Sequence, residues 1–93
     1  MTDLSLTGIH GNRLAGDRWI PATPTLPPLL MLHGGGQTRH SWDVAAARMS
    51  AAGAAVTTYD ARGHGDSERA PDGDYDLATF ARDLTAVLDT TFP

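Results

Sequence analysis

A chain of 93 residues holds one small domain or a portion of a larger one, and it leaves much of its surface in water even when folded. Its 41% apolar and 19% charged residues are ordinary for a globular protein and exclude the low-hydrophobicity, high-charge composition of intrinsic disorder. Net charge is −4, the seven arginines are scattered from Arg13 to Arg82 with no lysine and no basic patch for nucleic acid, and the absence of cysteine removes disulfides, thiolate catalysis and cysteine-based zinc sites.

No apolar stretch approaches the length of a membrane span. Met1-Thr2-Asp3-Leu4 carries an acid where a secretory leader needs a basic start, so the expected location is the cytoplasm. In chain order, Leu4, Leu6 and then Ile9 alternate roughly as a short strand, His10-Gly11-Asn12 signals a turn, and Arg13 to Ile20 returns as a second strand. Residues 1–20 therefore read as a β-hairpin. Pro21, Pro24, Pro27 and Pro28 make 21–28 an extended connector that cannot be helical. Leu29-Leu30-Met31-Leu32 has no polar face and suits a strand buried on both sides, as in a parallel sheet. It ends at His33-Gly34-Gly35-Gly36.

Trp42, Ala45, Ala46, Met49 and Ala52 are spaced along one face of a helix, with Gly53 as its terminator. Ala54 to Tyr59 is a further strand, and a polar, glycine-containing loop runs from Ala61 to about Tyr75. Leu77, Phe80, Ala81, Leu84, Val87 and Leu88 then follow helical i, i+3, i+4 spacing, with Asp76 at the N-cap. The fold class is α/β. It comprises the hairpin (1–20), the proline-rich connector (21–28) and a β-α-β-α unit (29–93), with helices packed on a mostly parallel sheet through a right-handed crossover.

Ligands in open α/β sheets gather beyond the carboxyl ends of the strands. Two loops leave those ends here, His33 to His40 and Asp60 to Tyr75. The glycines after the apolar strand permit a sharp turn and close approach of backbone to ligand, and free N–H groups there can hold developing negative charge. Taken alone, the glycines mark a tight turn. A phosphate loop would end in Gly-Lys-Ser/Thr, and the chain has no lysine. His10, His33, His40 and His64 lack the spacing of a metal site, so no metal is implied. Ser67 follows Gly65-Asp66, but Glu68 and Arg69 come next in place of the closing glycine of Gly-x-Ser-x-Gly; it reads as a loop-capping serine. Asp60 and Arg62 are expected to pair and set their loop. Trp42 and Phe80, at helical spacing, read as core.

The run Leu29 to Leu32 with His33-Gly34-Gly35-Gly36, then Trp42, then Tyr59-Asp60-Ala61-Arg62-Gly63-His64-Gly65-Asp66-Ser67, resembles the α/β-hydrolase fold family in order and spacing. Tyr75-Asp76-Leu77 with Asp83 is similar to that family's next helix, so the resemblance covers about Leu4 to Pro93. It implies a sheet whose first four strands lie in the order first, second, fourth, third, with Leu29 to Leu32 at an edge. It also implies hydrolysis of an ester-type or related bond through a covalent intermediate, and no organic cofactor. By resemblance, Gly35 takes the oxyanion-hole position and offers its backbone N–H, with Gly36 beside it. His33, Gly34, Asp60, Arg62, Gly63, His64, Gly65 and Ser67 support the site, and Gln37, Arg39 and His40 border the substrate. The family's Gly-x-Ser-x-Gly elbow does not occur in these residues, and the second oxyanion N–H belongs to the residue after the nucleophile. No nucleophile is assigned.

The sequence thus reads as the N-terminal portion of a hydrolase, inactive alone, that meets a small-molecule substrate only when the remainder is supplied. Two other readings stay open. One is a binding or assembly module that completes its sheet with a partner chain; the other is a small βαβ domain holding an acidic or phosphorylated ligand at the glycine loop. Neither a nucleic-acid nor a membrane partner is expected. An uncovered edge strand points to self-association.

Overall fold

Strand β1 (Thr2–Thr7) and strand β2 (Arg13–Trp19) form the expected hairpin, with Leu6 opposite Leu14 and Leu4 opposite Gly16. The computed structural model describes residues 1–92; Pro93, the last residue of the expected 29–93 unit, lies outside the described residues. Alternation half-buries Leu4 and Leu6 and turns the rest of β1 to water. The Gly8 N–H donates to the Asn12 carbonyl at 2.8 Å and the Gly11 N–H to the Gly8 carbonyl at 3.1 Å, closing the turn. Ile9 does not extend β1. It sits in this turn, and its N–H donates to Asp83 Oδ1 at 2.8 Å.

Strand β3 (Leu29–Leu32) is followed by a 3-10 turn (Arg39–Trp42), helix α1 (Asp43–Ala51), strand β4 (Val56–Tyr59) and helix α2 (Leu77–Thr91). The four strands lie in the order β1-β2-β4-β3. Strand β4 runs parallel to β3 and antiparallel to β2. The sheet is therefore mixed: its parallel character is confined, within the described residues, to the β3–β4 pair, because the hairpin adds two antiparallel ladders.

Side chains alternate across the strands, so two small cores form on the two faces. Beneath α2, Leu14, Tyr59 and Val87 are buried together with Leu6, Leu30 and Leu84 packed around them. Beneath α1, Ala46, Ala54 and Val56 are enclosed by Trp19, Leu29, Met31 and Met49. Leu14, Val56 and Val87 are fully buried, each contributing about 1.5–3 kcal/mol by leaving water. Strand β3 departs from the expectation of burial on both sides: Leu29, Leu30 and Met31 are half-buried and Leu32 is 43% exposed. Its outer edge pairs with no strand among the described residues.

The helix ends explain two further sequence signals. After α1, the Gly53 N–H donates to the Ser50 carbonyl and the Ala54 N–H to the Met49 carbonyl, a Schellman closure with Gly53 at φ 112°. The Gly53 carbonyl in turn accepts from Thr25 and Leu26, pinning the proline-rich connector. Asp76 has the extended backbone of an N-cap, but its side chain makes no capping bond. Asp74 organises this end instead, accepting from the Asp76 N–H at 3.0 Å and from Thr79 Oγ1 at 2.6 Å. Along α2, Val87 is buried and Phe80 and Leu84 are half-buried, whereas Leu77 is 84% exposed. No helix among the described residues is long and apolar enough to cross a membrane.

Candidate active site

The glycine run leaves the carboxyl end of β3 as a tight turn in which the Gln37 N–H donates to the Gly34 carbonyl at 3.1 Å. Gly36 supplies φ 75°, a left-handed backbone that strains any L side chain. Gln37 reaches back, its Oε1 accepting from the Gly34 N–H at 2.9 Å. His33 locks the loop to the neighbouring strand. The Ala61 N–H donates to His33 Nε2 at 3.0 Å, which requires that nitrogen to be unprotonated; the ring's proton then sits on Nδ1 and is donated to the Gly34 carbonyl at 2.8 Å. The backbone N–H groups of Gly35 and Gly36 donate to no acceptor among the described residues. Open space surrounds Gly35 where a side chain would stand.

Beyond β4, the loop from Asp60 to Ser67 is built around buried polar groups. Asp60 accepts from the Arg39 N–H at 2.6 Å, from Arg39 Nη1, and from the Asp66 N–H at 2.9 Å. Burial alone would raise the Asp60 carboxyl; the two N–H donors and the Arg39 guanidinium outweigh it and hold the carboxyl below its ordinary range. Arg39 also donates through Nε to Asp17 at 2.9 Å and through Nη1 to Asp66 at 3.0 Å. Gly65 lies against the Asp60 carboxylate, and the Gly63 N–H donates to the Glu68 carbonyl at 2.9 Å. Ser67 is nearly buried. Its Oγ donates to the Asp60 carbonyl and accepts from the Ala15 N–H at 2.9 Å, stitching the loop to β2.

The expected Asp60–Arg62 pairing is not formed. The chain turns between these residues: Asp60 meets Arg39 beside α1, while Arg62 crosses to Asp83 on α2 at 2.7 and 2.9 Å. Arg62 also donates to Asn12 Oδ1 and to His10 Nδ1, each at 3.3 Å. The Asp83 hydrogen bonds, against burial, keep the guanidinium charged beyond its usual range. Burial would lift Asp83, but Arg62 and the Ile9 N–H prevail and lower it. Asp83, Asn12 and Asp17 were not among the sequence-derived site residues. An acid at 83 within the inward stripe of Phe80, Leu84 and Val87 was the available signal for the first.

A cleft of about 460 Å³ opens between the glycine loop and α2, walled by Leu32, His33, Gly35, His64, Leu77 and Phe80 among others. Phe80, read as core, is half-buried on this wall. The His64 ring lies 5.0 Å from that of His33 and donates through Nδ1 to the Arg62 carbonyl at 3.1 Å. Gln37, Arg39 and His40 do not line the cleft. Arg39, expected to border substrate, is turned inward and 8% exposed because its guanidinium serves buried carboxylates. His40 is exposed and meets Asp43 at 3.0 Å.

This arrangement, with a glycine turn at the end of a parallel strand and an Asp-x-Arg-Gly-x-Gly-x-Ser loop at the end of its neighbour, agrees with a family model described as alpha/beta hydrolase fold, which matches residues 27–91. The chain belongs to the alpha/beta hydrolase fold family. This α/β hydrolase is similar to protein phosphatase methylesterase 1 of Bos taurus, 36% identical over 67 residues that make up 71% of this chain and 18% of that protein. Its fold resembles an esterase from Exiguobacterium antarcticum, with a TM-score of 0.83 and 22% identity over 97% of this chain and 32% of that one. It also resembles an epoxide hydrolase from Vigna radiata, with a TM-score of 0.81 and 22% identity over 97% of this chain and 28% of that one. The α/β-hydrolase chain thus spans less than a fifth of the methylesterase and about a third of either solved structure.

Proposed function

We propose that these residues form the oxyanion-holding part of a hydrolase site for an ester-type or related bond, and that they turn over no substrate alone. The observation that carries this reading is the free Gly35 N–H, fixed at the tip of β3 by His33 and Gln37 and opening beside an apolar cleft. Preorganised N–H groups in a site shielded from water stabilise the negative oxygen that develops when an acyl carbonyl is attacked. Gly36 offers a neighbouring N–H on the same turn. The similar proteins are named as a methylesterase, an esterase and an epoxide hydrolase; an ester carbonyl is the substrate class that best matches a backbone N–H donor. The attacking group has to come from outside these residues, since they contain no Gly-x-Ser-x-Gly and both hydrogen-bonding roles of Ser67 are already engaged.

An activated-ester assay on the purified chain tests this. The expected result is no turnover above background, unchanged by Ser67→Ala. Turnover abolished by Ser67→Ala would make that serine a nucleophile, and turnover surviving it would place one elsewhere in the chain; either overturns the reading. A second reading is favoured by the unpaired edge of β3 and the apolar cleft beside it: a module that completes its sheet with a partner chain or with another copy of itself.

A further inference from the structure

Folding brings together three side chains that no short motif connects. Asp17 projects from β2, His40 from the 3-10 turn and Asp43 from the first turn of α1, and one ligating atom of each lies within 4.8 Å of the others. Asp17 is 1% exposed, yet its Oδ1 has no hydrogen-bond partner; only Oδ2 is engaged, by Arg39. Asp43 likewise keeps a buried Oδ1 without a partner. A buried carboxylate oxygen left unmatched is costly. Charge points the same way, because the single guanidinium of Arg39 faces three carboxylates, those of Asp17, Asp60 and Asp66. The other grouping of this kind, His10 with Asp72 and Asp74, lacks these features. Both Asp74 oxygens are hydrogen-bonded, and His10 Nδ1 accepts from Arg62.

We propose that Asp17, His40 and Asp43 bind a divalent cation, zinc. Two carboxylates and one imidazole match its ligand preferences, at about 2.0–2.2 Å with water in a fourth, tetrahedral position. Asp17 is held in place by Arg39, while the half-exposed His40 and Asp43 side chains, hydrogen-bonded to each other at 3.0 Å, would exchange that bond for the ion. The ion would clasp β2 to the segment leaving the glycine turn, on the α1 side of the sheet and away from the cleft. Its role is to position that segment, not to react with substrate.

Equilibrium dialysis of the chain against micromolar zinc tests the site, with His imidazole resonances followed by NMR. The expected result is one zinc per chain, a shift of the His40 signals and not of His10, and binding at least ~10-fold weaker in His40→Ala and in Asp43→Asn. His10→Ala should bind as the unsubstituted chain does. Retention of less than one zinc, or equal affinity in His40→Ala, overturns the proposal; ordered water would then be what meets the orphaned oxygens.

Discussion

Arg62 and Asp83 are almost wholly enclosed, and so are Asp60 and the Asp17 carboxylate that share Arg39. Such pairs add little over well-packed apolar residues, but losing one partner strands a buried charge. Their pH response follows from the direction in which the carboxyls are held. Asp60 and Asp83 both sit below the ordinary range, so in acid the unfolded chain binds more protons than the folded one. Their stabilisation is complete above the unfolded carboxylate value of about 4 and is lost as pH falls through the lower, folded values. Thermal melts stepped down from pH 5 should therefore hold a steady midpoint and then drop below about pH 4; a midpoint that stays level in that acid range would contradict the network. Little of this network was legible beforehand. The Asp-x-Arg-Gly-x-Gly-x-Ser run is plain in the sequence, yet Arg39 and Asp83 each lie 21 residues from their partners. Local pattern reading joined Asp60 to its near neighbour Arg62 instead.

Elements were easier to read where the apolar pattern is strong. The spacing of Phe80, Leu84 and Val87 locates α2, and the four apolar residues of β3 match the strand found. Helix α1 is mostly alanine, so its inward face is only weakly marked; Ala46 is buried there while Ala52, expected on the same face, is exposed. Ile9 falls one residue out of step with the alternation of Leu4 and Leu6, and it lies in the turn, where its N–H is taken by Asp83. Gly53 was read as a helix stop, and the structure adds a steric reason. A β-carbon there would stand 2.2 Å from Thr25 Oγ1, on a backbone at φ 112°. Gly53→Ala should cost about 1–3 kcal/mol, seen as a lowered melting midpoint. Adding Thr25→Ala should recover the steric share and leave the dihedral share; a neutral Gly53→Ala would refute this account of the corner.

At the scale of the molecule, the sheet ends in two edge strands, β1 and β3, and neither outer edge is paired among the described residues. The hairpin covers β4, but β3 presents unpaired backbone beside half-exposed leucine. If assembly proceeds through that edge, Leu32→Lys should raise the dissociation constant about tenfold or more, since a buried charge costs well over 1.4 kcal/mol. Sedimentation across a range of concentrations measures it, and a chain that is monomeric throughout would remove self-association through that edge.

The Ile9 amide and the Asp83 carboxylate that receives it are 74 residues apart, and β2 has to wait for β4 before its second ladder can form. In chain order the hairpin precedes both partners, so Leu6 and Leu14 lack their α2 neighbours Leu84 and Val87 until the chain has reached them. Its final docking is a late step, paced by closure of long loops rather than by the quick local pairing of the hairpin itself.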